Sequence, residues 1–200
     1  MAKIMEAQII DRKIENQCID ITYPQVYGLK DKEVENIIND LITKQVNRQI
    51  PREGCAVYAN IFGKYEVNLN NNGVLSLNLQ FYTIRKQAAN GLNVQKSINV
   101  DLSTGRNYQL YELFRRNSNY RMTINKMIQE QIKNKDLHLI KEFTGITDFE
   151  DYYLTNNALV IYFQELEYTI HAEGIPEFTI PYAKIRNLID EEGLLKNLIN

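Results

Sequence analysis

The sequence lacks tryptophan and is poor in proline, cysteine and serine: its 200 residues include four prolines, two cysteines and four serines. It also lacks an excess of one charge, because 23 lysines and arginines stand against 25 aspartates and glutamates, for a net charge of −2. A chain so close to neutral has no general attraction for nucleic acid or acidic membrane surfaces, so we expect no nucleic-acid partner. No apolar run approaches the roughly 20 residues needed to cross a bilayer, so we expect no membrane span.

The N-terminus and the two cysteines bear on the compartment. Charged side chains interrupt the first twenty residues from Lys3 onward, so the apolar segment of a secretory signal is missing. As written, the chain is expected to be cytoplasmic, or extracytoplasmic if a leader or anchor has been removed. Cys18 and Cys55 form no CxxC motif, and we favour their interpretation as two small buried hydrophobic residues. A disulfide, which needs an oxidising compartment, is the second interpretation, and a reactive thiol is the third.

The first half of the chain predicts a strand, a helix and three hairpin-linked strands. Residues 18–23 alternate apolar and polar side chains like a half-buried strand, which Pro24 is expected to end. Asp31 is predicted to cap an amphipathic helix that stops before Pro51. Three alternating runs separated by turn residues then predict an antiparallel meander, over 57–69, 74–84 and 92–102. The middle run has polar residues at alternate positions, which implies that one face of the meander is exposed to solvent. These residues are Ser76, Asn78 and Gln80.

The second half predicts a helix, a hairpin, a short strand and a final helix. Ser118 or Asn119 is predicted to cap the first helix, which ends near Lys135. Because strands and helices do not alternate regularly, we predict an α+β fold, with a mainly antiparallel sheet, a central meander and packed helices. Two portions are expected, residues 1–100 with the strand, helix and meander and residues 101–200 with the remainder, packed as one compact body.

Catalytic and metal-binding motifs are missing from the sequence. The scattered glycines form no phosphate-binding loop, and neither the serines nor His138 and His171 stand in a hydrolase or zinc-binding context. A cluster of basic residues with interleaved tyrosines could line a nucleic-acid groove, but Glu112 and Glu130 interrupt it; the basic residues are Arg115, Arg116, Arg121 and Lys126. We therefore predict no catalytic residue, no metal and no cofactor, and no enzymatic activity.

Several segments resemble one family when they are taken in order. These segments are Ile21-Thr-Tyr-Pro-Gln-Val-Tyr-Gly-Leu-Lys-Asp31 with the helix after it, Val100-Asp-Leu-Ser-Thr-Gly105, Tyr111-Glu-Leu-Phe114, Tyr153-Leu-Thr155, Leu159-Val-Ile-Tyr-Phe163 and Gly174-Ile-Pro-Glu-Phe-Thr-Ile-Pro-Tyr182. They are similar to a bacterial domain of unknown function found as the extracytoplasmic part of RsiV-like anti-sigma factors and as an accessory domain of peptidoglycan deacetylases.

The resemblance implies a fold and a class of partner. It implies an α+β domain whose C-terminal part is similar in topology to a small subdomain of the Hsp70 and actin type ATPases, without the phosphate loops. RsiV-like proteins sense and bind lysozyme, so the resemblance implies a protein or cell-wall partner. This chain departs from the family before Gly174, since Leu166, Ile170 and His171 stand where the family typically has Tyr, Pro and Tyr.

We therefore predict a non-enzymatic binding or sensing domain that recognises a protein or a cell-wall glycan. The resemblance and the 13 tyrosines favour this function, because tyrosine suits recognition surfaces. Recognition is expected through the exposed sheet face and the loop from Glu165 to Glu177, with Tyr168, His171, Glu173 and Phe178 as binding residues. The alternatives are a structural or oligomerising protein, and an enzyme acting on cell-wall glycan with a carboxylate and His171 as acid and base.

Overall fold

The structure is a computed structural model that describes residues 6–199. The chain divides into an N-terminal unit that ends at Arg106 and a C-terminal unit that begins at Asn107. The strands are β1 (Gln8–Glu15), β2 (Ile19–Tyr27), β3 (Tyr58–Asn71), β4 (Val74–Arg85), β5 (Leu92–Asp101), β6 (Tyr152–Leu154), β7 (Ala158–Tyr162) and β8 (Glu177–Pro181). The helices are α1 (Lys32–Gln49), α2 (Gly54–Val57), α3 (Tyr120–Asn134) and α4 (Tyr182–Ile185).

The N-terminal unit is a five-stranded sheet with one long helix. The strands run in the order β1-β2-β3-β4-β5, and all neighbours are antiparallel except β2 and β3. Asp31 caps α1 as predicted, since its carboxylate accepts hydrogen bonds from the backbone N–H groups of Glu33 and Val34. One face of α1 is buried in the core of the unit, through Val34, Ile38, Ile42 and Val46. The predicted meander is confirmed as β3, β4 and β5.

The parallel contact between β2 and β3 is short and close. Only Ile19–Ile21 of β2 pair with residues 61–63 of β3. Position 63 favours glycine, because a Cβ atom there would lie 2.7 Å from Cγ2 of Ile21 and would force that side chain to shift. Pro24 lies beyond this paired stretch. The sequence predicted that Pro24 would end β2, but the strand continues to Tyr27. The prediction was wrong because β2 pairs with β3 only at residues 19–21. At Pro24 there is no strand on the β3 side of β2, so the missing backbone N–H is tolerated.

The polar face of the meander is buried rather than wet. Ser76 and Asn78 are both buried, and residues directly opposite on β4 and β5 hydrogen-bond each other. Ser76 Oγ donates to Asn99 Oδ1 at 2.7 Å, Ser97 Oγ donates to Asn78 Oδ1 at 2.6 Å, and Gln80 Nε2 donates to Gln95 Oε1 at 3.1 Å. Alternation with polar residues predicted exposure, but paired polar side chains can be buried once their hydrogen bonds are made.

Side-chain amides bind backbone groups at three places next to strands. Asn39 of α1 accepts from Val26 N and donates to Val26 O, both at 2.8 Å. Asn70 does the same for Ala7, at 2.9 and 2.7 Å. Gln131 of α3 accepts from Thr179 N at 3.1 Å and donates to Thr179 O at 2.9 Å. Each amide thus replaces the neighbouring strand that the backbone would otherwise need.

The C-terminal unit is a three-stranded antiparallel sheet with α3 beside its edge. The order is β6-β7-β8, and α3 reaches β8 through Gln131 and through Lys135, whose Nζ donates to Glu177 O. The final predicted helix consists of α4 followed by a 3-10 turn over Arg186–Leu188. The predicted α+β class with a mainly antiparallel sheet is confirmed, whereas the likeness to an ATPase subdomain stays a prediction. Within residues 6–199, the structure has no helix of the length and apolar character required to cross a membrane.

Cys18 and Cys55 form a disulfide, with their Cα atoms 5.5 Å apart. The favoured interpretation as two unpaired buried residues was therefore wrong. The helix α1 and the turn after it carry the chain back to the start of β2, so α2 places Cys55 beside Cys18. Sequence spacing alone could not show this return, because it depends on where α1 packs.

The amide of Asn39 offers a first test of the fold. We expect Asn39→Ala to lower the free energy of unfolding by roughly 1–3 kcal/mol, because both backbone groups of Val26 lose their partner. Asn36→Ala, at an exposed position on the same helix, is the matched control and should change it by less than about 0.5 kcal/mol. Urea unfolding followed by circular dichroism measures both, and equal effects would contradict the assigned role.

Reduction of the disulfide offers a second test. The bond closes a segment with a sequence separation of 37, so its loss should destabilise the folded protein by about 2–4 kcal/mol. Thermal unfolding with and without reductant measures this change as a lower Tm. The Cys18→Ala/Cys55→Ala variant should unfold at the same temperature in both conditions, and a wild-type Tm insensitive to reductant would show that the bond is absent.

Candidate binding surface

The loop over residues 164–176 connects β7 to β8 and is closed at its base. Tyr162 pairs with Glu177 in the sheet, and Phe163 N donates to Pro176 O at 3.2 Å. Gln164 then begins a tight turn, in which its carbonyl accepts from Glu167 N at 3.0 Å. Leu166 and Gly174 both have positive φ angles, of 65° and 64°, so the chain reverses sharply near each end of the loop.

A second segment, residues 137–141, lies along the returning arm of this loop. Ile140 N donates to Tyr168 O at 2.8 Å, and Ile170 N donates to His138 O at 3.3 Å. Leu139 and Thr169 form the antiparallel bridge between these two hydrogen bonds. Opposite residues in such a pair share a face, so His138, Ile140, Tyr168 and Ile170 lie on one side.

Apolar side chains are exposed along this pair of segments. The exposed fraction is 53% for Ile140, 49% for Leu166 and 38% for Ile170. We call these three residues, together with His138, Tyr168 and His171, the loop surface. Large apolar side chains that gather on one surface commonly mark an interaction site, whereas single ones need no explanation.

The ring of Tyr168 supports the loop surface by packing against other aromatic side chains. Its ring packs against Phe143 and Phe163, with ring centroids 5.7 and 4.6 Å away, and Lys141 Nζ lies 4.2 Å from its centroid. Partial burial raises the pKa of the Tyr168 hydroxyl, and the nearby carboxylates add to this effect. The ring is therefore a fixed, uncharged support for the exposed residues around it.

Both histidines of the chain pair with glutamates of the loop. His171 Nδ1 lies 2.6 Å from Glu165 Oε1; the Glu165 side chain is 1% exposed and that of His171 44%. His138 Nδ1 lies 2.8 Å from Glu173 Oε1. The hydrogen bond to Glu173 raises the pKa of His138, and the same bond lowers the pKa of Glu173.

Carboxylates cluster at the base of the loop. Glu167 Oε2 accepts from Gln164 N at 3.0 Å, and Asp151 Oδ2 accepts from Gln164 Nε2 at 2.6 Å. Burial raises the pKa of Glu150, hydrogen bonds from Thr147 oppose this, and the charges of Glu167 and Asp151 raise it further. The base of the loop thus carries three carboxyl side chains, which favour positively charged groups nearby.

The structure brings three of the four predicted binding residues together and separates the fourth. Tyr168, His171 and Glu173 all lie on the 164–176 loop. Phe178 follows the loop on β8, is 1% exposed and packs on the ring of Phe163 at 5.3 Å. Its inclusion among the surface residues is corrected, because alternation along β8 turns its side chain into the core.

Residues 137–141 are the part of the surface that sequence reasoning missed. Leu137, Leu139 and Ile140 stand among charged residues after α3, and this short apolar group is the signal that could have drawn attention to the segment. The sequence did not reveal that this stretch pairs with residues 168–170, since its polar-apolar alternation is too short to predict a strand. The predicted recognition through an exposed sheet face is also corrected, because Ser76 and Asn78 on that face are buried.

Two of the four residues of the basic cluster, Arg115 and Arg121, make local ion pairs. Arg121 makes a bidentate contact with Asp148, with Nε 2.9 Å from Oδ1 and Nη2 2.5 Å from Oδ2. Hydrogen bonds from Tyr120 and then from Arg121 lower the pKa of Asp148. Arg115 pairs with Glu191. Across residues 6–199, no three or more His, Cys, Asp or Glu side chains are grouped so that they could hold a metal ion.

Comparison of the fold identifies a class of protein. The structure superposes on a DUF3298 family member from Bacteroides fragilis with a TM-score of 0.76 and 12% identity, covering 98% of this chain and 99% of that chain. It superposes on a DUF3298 protein from Pseudomonas aeruginosa with a TM-score of 0.60 and 12% identity, covering 92% and 93%. The fold is therefore that of these DUF3298 proteins.

Sequence comparison agrees with the fold. Residues 111–183 match the family model described as protein of unknown function (DUF3298). The chain is 27% identical over 205 residues to the anti-sigma-V factor RsiV of Bacillus subtilis (strain 168), covering 94% of this chain and 70% of RsiV. The resemblance to RsiV-like anti-sigma factors predicted from the sequence is confirmed.

A buried hydroxyl under the loop surface offers a third test. Thr169 is fully buried, and its Oγ1 has no hydrogen-bond partner among the described residues. Thr169→Val removes an unsatisfied polar group while keeping the shape, so we expect a gain of roughly 1 kcal/mol in the free energy of unfolding. Thr155→Val is the matched control and should destabilise, because Thr155 Oγ1 accepts from Ala158 N at 3.1 Å. Urea unfolding measures both, and a loss in Thr169→Val would reveal a partner for that hydroxyl.

Proposed function

We propose that this protein is a non-enzymatic binding domain that recognises a protein partner through the loop surface. The observation that carries the proposal is a set of exposed apolar residues, Ile140, Leu166 and Ile170. They lie on the loop and on the 137–141 segment paired with it, which are held by backbone hydrogen bonds and ion pairs. Apolar anchors held in place before binding contribute most to affinity, because little conformational freedom is then lost.

The charges around the loop surface favour a basic partner. Glu150, Asp151 and Glu167 lie at the base of the loop, and the carboxylates of Glu165 and Glu173 contact the two histidines. Complementary charge speeds encounter and selects partners, even where it adds little to affinity. A basic protein that presents an apolar patch therefore fits the surface best.

The comparisons support a binding role. The relative RsiV is named an anti-sigma factor, which describes a protein that acts by binding and not an enzyme. The resemblance adds lysozyme and cell-wall glycan as partners to test. Three exposed positions, Leu166, Ile170 and His171, are those at which this chain departs from the family, so we expect the partner to be bound through contacts particular to this chain.

The disulfide supports an extracytoplasmic location for this domain. Disulfides persist in oxidising compartments and are rare in the reducing cytosol. Cys18 and Cys55 are joined in the structure, so we favour the extracytoplasmic alternative over the expectation of a cytoplasmic protein. An extracytoplasmic location would also place the loop surface within reach of the envelope and its partners.

The alternative functions have weaker support. An oligomerising role would need a long apolar sheet edge, whereas the edge strand β1 carries charged residues, which discourage pairing between chains. The enzyme alternative needs a carboxylate beside His171, and Glu165 supplies one. We assign this pair to fastening of the loop because it joins the outgoing arm to the returning arm.

The proposed function is tested by substitution of the apolar anchors. We expect the full-length chain to bind lysozyme, a strongly basic protein, and expect Ile140→Asp and Ile170→Asp each to weaken binding by about tenfold or more, because a charge replaces a buried anchor at the interface. Met122→Asp, at an exposed apolar position on α3, is the matched control and should bind like the wild type. Isothermal titration calorimetry measures the affinities, with peptidoglycan fragments titrated in parallel.

Two results would contradict the proposal. One is that neither lysozyme nor peptidoglycan fragments bind to the full-length chain. The other is that both isoleucine variants fold, as judged by circular dichroism, and bind as tightly as the control variant.

A further inference from the structure

The chain has two histidines, and both lie on the loop surface. Each pairs through Nδ1 with a glutamate of the 164–176 loop: His171 with Glu165 and His138 with Glu173. The two histidines are 33 positions apart in sequence, yet the same short loop receives both. Histidine is the side chain whose charge changes most readily between pH 5 and 8.

The two pairs fasten the loop in two directions. Glu165 lies on the outgoing arm and His171 on the returning arm, so their contact holds the arms together. Glu173 lies on the returning arm and His138 on the 137–141 segment, so their contact holds the loop to its neighbour. His138 N also donates to Glu173 Oε1, at 3.4 Å. The same carboxylate therefore contacts both the backbone N–H and the imidazole ring of His138.

One other charged group near the pairs also raises the pKa of His138, and the remaining charged groups contact other residues. Asp136 also faces His138 and raises its pKa further. Glu167 is bound to the backbone N–H of Gln164, and Lys141 lies over the ring of Tyr168. Glu165 is the charged group in contact with His171. The charged neighbours that contact His138 are therefore acidic, and they favour its protonated form.

The direction of the pH effect follows from the His138 pair. The pKa of His138 is raised from 6.5, so the ion pair contributes fully below pH 6.5 and is lost as the pH rises through the raised value. The pKa of Glu173 is lowered from 4.5, so the contribution is present above pH 4.5 and is lost as the pH falls through the lowered value. The pair is therefore complete between these limits.

We propose that the two His–Glu pairs form a fastener of the 164–176 loop and that protonation of His138 makes it acid-favoured, so that the loop is held closed at mildly acidic pH and loosens above neutrality. The regulatory consequence rests on the proposed function, because the same loop carries the loop surface. The fastener is expected to set how rigidly Ile170 is presented to a partner, and hence to make partner recognition depend on pH.

Amide hydrogen exchange of the full-length chain tests the fastener without any partner. The reporters are the loop amides of Ile170 and Gly174, which donate to His138 O and His171 O. After correction for intrinsic exchange rates, we expect their protection to fall by about two- to fivefold between pH 5.5 and pH 8.0, a modest change because both imidazoles are exposed to solvent. The internal control is the amide of Thr179, which donates to the uncharged amide of Gln131 and should keep its protection.

Variants separate the fastener from general effects of pH. In the His138→Gln/His171→Gln protein, protection of the loop amides should be the same at both pH values and close to the wild-type value at pH 8.0. In Glu173→Gln, an NMR titration of the imidazole should show the pKa of His138 moving down toward its ordinary value. The proposal is overturned if wild-type protection does not change with pH, or if the change persists in the double variant.

Failure of the fastener and failure of the proposed function give different results. Loss of pH-dependent protection in a protein that still binds lysozyme through Ile140 and Ile170 would overturn the fastener alone. Loss of binding in a protein whose loop still changes protection with pH would overturn the proposed function and leave the fastener in place.

Discussion

Backbone groups at the edges of strands need hydrogen-bond partners, and this requirement organises both units of the protein. Three side-chain amides, of Asn39, Asn70 and Gln131, meet it by binding the N–H and C=O of a single residue at once. An amide is suited to this role because it offers one donor and one acceptor in the spacing of a peptide group. Both α1 and α3 are thereby fixed to the strands they lie beside.

The loop surface depends on one of these contacts. Gln131 fixes α3 to β8, and Lys135 at the end of α3 adds a bond to Glu177 O. The chain that leaves α3 must therefore pass close to the end of the 164–176 loop, which leads into β8. Residues 137–141 pair with that loop through Ile140 and Ile170. The surface is thus assembled from two segments that are distant in sequence: one follows α3, which is bound to β8, and the other leads into β8.

The sequence was sufficient to predict features with a strong local signal. Asp31 and the apolar spacing after it predicted α1, and the alternating runs predicted β3, β4 and β5, because a cap and a periodicity are local properties. It was insufficient where the outcome depends on distant partners. The disulfide between Cys18 and Cys55, the burial of Ser76 and the pairing of Ile140 with Tyr168 each require knowledge of where another segment lies.

The short parallel contact between β2 and β3 has a consequence for how the protein folds. Residues 19–21 pair with residues 61–63 across an intervening α1, so this contact joins groups about forty positions apart. The meander, in contrast, is built from neighbouring hairpins. Because long loops close at a higher entropic cost than short ones, the hairpins are expected to assemble early and the β1-β2-α1 portion to dock on them late. The close approach at Gly63 would then form as a late step of assembly, so a larger side chain at that position would act mainly on the last stage of folding.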